Sequence, residues 1–312
     1  MEFKNITKEL LNLVSDTPFS INSETPIAYN IREDCQSIAR ASTEHIKIES
    51  KKDGPGLEIY ISSETKGEKV FIPACVTKSN IDDLVYNDFF IAEGADVIIV
   101  AGCGLHSETD ELARHNGIHR FFCGKNSHVL YVEKHVGTGK DTANRVINPV
   151  TDAILEEGAY LEMDTSQLGG ITDTTRTCKV KMNGADSRLV IKERLLTNYD
   201  ETAKTSFAVE VNGENASVNL VSRSVARGDS VQEYQSDIIG NVVCQGHSEC
   251  DGILAENGKV TARPCLIANS KEAALIHEAA IGKIAGEQLL KLRSLGLSEA
   301  EAEETIINGF LK

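Results

Sequence analysis

The chain has 312 residues, 41% of them hydrophobic, enough to bury a sizeable core as one large domain or two ordinary ones. Its 47 acidic side chains outnumber the 32 basic ones, and a net charge of −15 repels phosphate backbones and anionic lipid heads. Nucleic acid and membrane are therefore poor partners, and with no Trp and only 5% aromatics there are few surfaces for stacking bases.

The opening stretch MEFKNITKELLNLVSD reads as an amphipathic helix with Leu10, Leu11 and Val14 on one face. It lacks the basic start, apolar block and cleavage site of a secretion signal, and no apolar run approaches the ~20 residues that span a bilayer. A cytoplasmic location is expected. There the eight cysteines, none in a CxxC pair, stay thiols rather than forming a disulfide framework. Residues 1–90 are expected to form a mixed α/β segment, in which GLEIYIS is a half-buried strand, KVFIPACV a short apolar run and SNIDDLVY (79–86) one or two helical turns.

Residues 91–280 are a succession of strands, interrupted by expected helical turns at SETDELARHNG and NPVTDAILEEG, the second closed by its glycine. VKMNGADSRLVIK, from Val180, and VEVNGENASVNLV, from Val209, repeat a strand, an Asn-Gly turn and a second strand. Such a repeat suits either hairpins of a sandwich or successive coils of a stacked solenoid, and the unbroken run of strands favours the solenoid. Residues 281–312 then form a helical tail. One helix spans 286–295 and is closed by Gly296; a second starts at the capping box Ser298-Glu299-Ala300-Glu301 and carries Ile306, Ile307 and Phe310. A helix so short must pack on its own domain or on a partner.

HVGTGKDTANR fails as a phosphate loop, because Lys134 stands where the first Gly is needed and Asp141 where Ser or Thr should follow the lysine. His106, His115, His119 and Cys123 seed a metal-dependent hydrolase reading, although a Gly separates His115 from His119 and scattered surface histidines in a loop explain them better. The richer set is C-terminal. Cys244, His247 and Cys250 fall within seven residues, followed by Cys265 and His277-Glu278. On a strand Cys244 and Cys250 share a side that His247 does not. Neighbouring coils of a solenoid would let Cys250 meet His277 or Glu278, and thiolate, imidazole and carboxylate are iron and zinc ligands.

These residues carry a resemblance. Cys250-Asp251-Gly252, His277-Glu278-Ala279, the stretch 282–289, the turn 293–298 and Asn308-Gly309-Phe310 follow in the order and spacing of the SufB/SufD family of iron–sulfur cluster assembly scaffolds, over about sixty residues. The resemblance implies an all-β core with α additions: a right-handed parallel β-helix with an N-terminal α/β segment and a C-terminal helical domain. It implies a non-catalytic scaffold. Its tail (Leu289, Leu292, Ile306, Ile307, Phe310) would dock a SufC-like ABC ATPase, and its β-helix ends would pair, here as a homodimer given the chain's compact size. Cys250, His277 and Glu278 would hold iron and a transient iron–sulfur cluster at that interface, with Cys244, His247 and Cys265 as further ligands or a sulfur relay. A sulfur donor and acceptor apoproteins are implied as partners.

Overall fold

A computed structural model describes residues 3–15 and 27–312. The chain begins with α1 (Asn5–Val14), β1 (Ala28–Glu33), β2 (Gln36–Ala41), β3 (Ile46–Ser50), β4 (Gly56–Ile61) and β5 (Lys66–Phe71). Next come β6 (Ala74–Val76), β7 (Ile81–Ile91), β8 (Asp96–Ser107), β9 (Ala113–Cys123), β10 (His128–Gly139) and β11 (Arg145–Ile147). They are followed by β12 (Val150–Leu155), β13 (Tyr160–Leu168), β14 (Asp173–Met182), β15 (Arg188–Thr197) and β16 (Thr202–Val211). The last elements are β17 (Ala216–Ala226), β18 (Val231–Gly240), β19 (Cys244–Leu254), β20 (Lys259–Ala268), β21 (Ala273–Gly282), α2 (Gly286–Ser294) and α3 (Glu299–Phe310).

The strands form an 11-stranded and a 10-stranded sheet, between which successive strands alternate from β12 onward, and every pairing from β5 onward is parallel. The result is a β-solenoid of about eight turns, with helices at the termini. The Asn-Gly repeat marks its coils: Val180 and Val209 are register partners, so the two segments stack rather than fold back as hairpins. At these turns Asn212 donates to Asn183 Oδ1, Asn241 to Asn212 and Asn269 to Asn241, an amide ladder whose rungs are 28 or 29 residues apart. Each rung satisfies a polar group that the tight turn would otherwise leave unpaired. A β-carbon on Gly213 would stand 1.9 Å from the carbonyl oxygen of Gly184, so close stacking of the turns requires glycine there.

Alternation along the long strands β13 to β19 puts one face of each in the core. Val97, Val129, Leu161, Leu189 and Val218 form one continuous inner column across the first sheet. α1 covers the outer face of β8, burying Leu10, Leu11 and Val14 as the helical periodicity predicts; Met1, Glu2 and Asp16 of that stretch lie outside the described residues. Gly102 and Gly104 make room for the helix. A β-carbon on Gly102 would come within 2.5 Å of Val14 Cβ. Gly102→Leu is accordingly expected to lift α1 from the sheet at a cost of about 1–3 kcal/mol. Limited proteolysis should then cut near residue 15 faster while the solenoid stays intact; unchanged cleavage would contradict this packing.

Three expected helical turns are strands. Segment 79–86 enters β7, which runs across residue 90; 107–117 leads into β9, and 148–158 contains β12. Their acidic, helix-compatible composition is overridden by tertiary pairing. Asp83, for example, is buried and paired with Arg32 and His115. Gly158 is the left-handed residue of the turn after β12, not a helix cap. At the C-terminus α2 ends before Gly296, whose φ is +99°, and both bonds of the Ser298/Glu301 capping box are present. No helix among the described residues is long and apolar enough to cross a membrane.

Candidate metal centre

The inner face of the first sheet carries a polar lane beside its apolar columns. Glu133, Thr165, Glu193, Ser222 and Cys250 occupy successive rungs, and Ala279 takes the next position on the end strand β21. Opposite them, Arg176 and Thr205 project from the second sheet. Arg176 pairs with Glu133 Oε2 at 2.6 Å and lies 3.6 Å from Glu193 Oε1. Thr205 and Ser222 donate to the two Glu193 oxygens at 2.8 and 2.7 Å, while Tyr131 donates to Glu133 at 2.9 Å. Burying these charges is tolerable because each is paired and hydrogen-bonded.

The lane ends on Cys250, 1% exposed, one coil short of the open end of the solenoid. Burial first, then the charges of Glu193 and Asp251, push its thiol up to about 12. It is therefore a protonated thiol near neutral pH, whose proton a metal would have to displace. His277 is the register partner of Ser248, two residues from Cys250 on the same inner face, and its Nδ1 is buried without a hydrogen-bond partner. Ser248 bonds Ser236 at 2.9 Å and lies 3.4 Å from the Tyr234 hydroxyl. An unsatisfied imidazole nitrogen and a thiol on the same inner face are donors of iron-binding type.

Glu278 does not join them. Adjacent residues on a strand face opposite ways, so it stands on the outer face in register with Glu249, 3.7 Å from His247 Nε2. Cys244 is buried at the start of β19 on the Cys250 side, and Cys265 is exposed on the outer face of β20. The strand parity of 244, 247 and 250 in the structure is the one the sequence implied. Sequence reasoning missed Glu193, Ser222, Ser248 and Glu249. Their signal was the 28- or 29-residue spacing that stacks them under the C-terminal ligands.

The other histidine set is split between the two faces of the solenoid wall. His115, His119 and Cys123 face inward on β9, while His106 faces outward on β8 and contacts Glu108 and Thr138. They are not a scatter of surface histidines: His115 is held by Asp83 at 3.0 Å, and burial lowers His119 to about 4. Among the described residues, the His/Cys/Asp/Glu set whose donor atoms converge, within 4.8 Å of one another, is His247, Glu249 and Glu278.

Fold and site together define a parallel β-solenoid with side chains of metal-binding type gathered in its final coils. A family model described as "SUF system FeS cluster assembly, SufBD core domain" matches residues 86–310. The chain is 30% identical over 263 residues to an iron–sulfur cluster assembly SufBD family protein of Archaeoglobus fulgidus, covering 81% of this chain and 68% of that one. A Methanothermobacter thermautotrophicus relative of the same description is 28% identical over 81% of this chain and 62% of its own length. One from Methanocaldococcus jannaschii is 26% identical over 98% of this chain and 99% of its own. The chain belongs to the SufBD family, whose members are components of iron–sulfur cluster assembly.

Proposed function

We propose that the chain is a scaffold, without catalysis of its own, on which iron and sulfide are assembled into a cluster at the open C-terminal end of the solenoid. What carries this reading is the position of Cys250 and His277 on one inner face, in the last two strands of their sheet among the described residues. Iron and sulfide are cargo here. A thiol and an imidazole hold them, and the lane beneath fixes where the thiol points. Strands β20 and β21 end their sheets and offer unpaired backbone edges, the ordinary means by which strands recruit a second chain. A second copy of this chain joined there would bring two Cys250 side chains towards a shared space.

An ABC-type ATPase is the proposed partner of the tail. Ile307 is buried against Val225 and so belongs to the chain's own packing, with Phe310 half-buried beside it. α2 is different. It has no buried residue, and its neighbouring Leu290 and Leu295 are 65% and 72% exposed. Leu289 and Leu292 are half-buried on the same element. Exposed leucines on a helix that supports nothing in the core suit a docking face.

Anaerobic incubation of the purified chain with ferrous iron and sulfide tests the scaffold: a bound, sulfide-containing chromophore is expected, and a colourless protein would refute it. For docking, Leu290→Glu with Leu295→Glu should abolish co-purification with the ATPase and leave the chromophore untouched. If association survives, α2 is not the contact.

A further inference from the structure

Two histidines that the scaffold reading does not use meet inside the early coils of the solenoid. His115, Gly117 and His119 alternate with outward residues on β9, so all three positions face the interior. The glycine between the rings is a notch. A β-carbon on Gly117 would stand 3.2 Å from His115 Nε2 and 3.0 Å from His119 Nε2, so both imidazoles lean over the space a side chain would fill. We propose that His115 and His119, with Asn87 beside them, form a buried site for one borderline divalent cation of the zinc(II) class.

The ring nitrogens are already sorted for that task. Asp83, the register partner of His115, lies 3.0 Å from His115 Nδ1 and its carboxylate can only accept, so that nitrogen carries the proton. Tyr131 gives its one hydroxyl proton to Glu133, so towards His119 Nδ1, at 3.4 Å, its oxygen also accepts. Both Nε2 atoms therefore turn a lone pair to the notch. Burial, which lowers His119 to about 4, keeps that ring neutral and its lone pair free near pH 7. Metal-binding histidines are held in this way, the second nitrogen donating to an oxygen behind, and for His115 that oxygen belongs to a carboxylate. Two ligands of one ion stand at most about 4.2 Å apart, and the missing side chain at 117 leaves the rings room for that approach.

Asn87 supplies the third acceptor. It is the register partner of His119 on β7, and its Oδ1 is buried without a hydrogen-bond partner. Asn87, His115 and His119 line one cavity of about 10 Å³, room for a single water-sized particle. A water there has two protons for three acceptors and leaves one unsatisfied. A cation serves all three, and imidazole nitrogen with amide oxygen selects a borderline ion over a soft one. Arg32 also borders the cavity, but its charge is taken up by Asp83 at 2.6 Å. All three ligands are buried, so the ion is kept as a tie between β7 and β9 rather than passed on. It is separate from the cargo at the far end of the solenoid, and its site stands or falls independently of the scaffold reading.

The test is incubation of the purified full chain with cobalt(II) alone, followed by EDTA and desalting to strip ions from exposed positions. One retained cobalt per chain is expected, measured by elemental analysis and visible absorption. His119→Gln should lower retention at least about 10-fold, the loss that even an orienting partner of a ligand can cause. Gly117→Ala is the sharper variant. It keeps both imidazoles and Asn87, but its methyl group occupies the notch, so retention should fall at least about 10-fold while the circular dichroism stays that of the wild type. Cys250→Ser should retain cobalt as the wild type does. A wild-type chain that holds no cobalt after EDTA, or undiminished retention in Gly117→Ala and His119→Gln, would overturn the site. Loss of the ion in Cys250→Ser would overturn it as well, by placing the cobalt at the carboxyl end.

Discussion

Cys250→Ser is expected to abolish formation of the iron–sulfide chromophore while leaving the solenoid folded. The substitution exchanges a thiol for a hydroxyl of similar shape at a position whose rung below is already a serine, Ser222. Packing therefore changes little, whereas the one soft ligand at the end of the lane disappears. The thiol's own chemistry gives a second check. Burial, with Glu193 and Asp251 adding to it, places it at about 12, so near neutral pH almost none is thiolate and none is accessible. An alkylating reagent should consume the exposed Cys35 and Cys265 first and reach Cys250 only slowly. Iron added beforehand competes for the same sulfur and should slow Cys250 further. Rapid alkylation of Cys250 in the isolated chain, or a chromophore undiminished in Cys250→Ser, would remove the thiol from the centre of the mechanism. His277→Ala should weaken the chromophore without eliminating it, since one nitrogen ligand is lost and the sulfur remains.

The solenoid was legible because its repeat is written twice in plain form, as the segments from Val180 and Val209 that prove to be register partners. What composition could not reveal was how far tertiary pairing reaches. The acidic stretches 79–86 and 107–117 are compatible with helix taken alone, yet Arg32 and His115 come from other strands to hydrogen-bond Asp83 and hold that chain extended. The C-terminal ligands show the same limit. Their residue types and their order could be read, and strand parity within β19 followed from counting. Register between strands could not be counted, because it depends on the length of each turn. Only with Ser248 placed opposite His277 does it follow that Cys250 and His277 share the interior, while Glu278 belongs with His247 and Glu249 outside. Expecting Cys250, His277 and Glu278 in one cluster overlooked that consecutive strand residues point apart.

Arg176→Met should be the most destabilising single change in the interior, about 3–5 kcal/mol. The guanidinium is buried between Glu133 and Glu193, and without it Glu193 has no cationic partner and Glu133 keeps only the neighbouring imidazole of His135. Burial by itself favours a neutral Glu133, but the neighbouring His135 and Arg176 outweigh it and hold the carboxyl well below its usual range. Glu133 thus contributes stability above the unfolded carboxylate range and loses it only as pH falls through its depressed folded value. His119 sets a different window. Burial lowers it from 6.5 to about 4, so between those values the unfolded chain binds a proton that the folded chain refuses. Wild-type stability should be full above pH 6.5 and fall on acidification towards 4, by at most about 1.4 kcal/mol per pH unit and on the order of 3 kcal/mol altogether. Urea unfolding followed by circular dichroism at several pH values measures both effects. Replacing Glu133 by Gln in the Arg176→Met background should recover part of the loss, because the uncompensated charge goes with it. A single-variant loss under about 1 kcal/mol would mean that water enters the lane and screens the carboxylates. The lane would then be too loosely held to fix Glu193, Ser222 and, one rung further, the sulfur of Cys250.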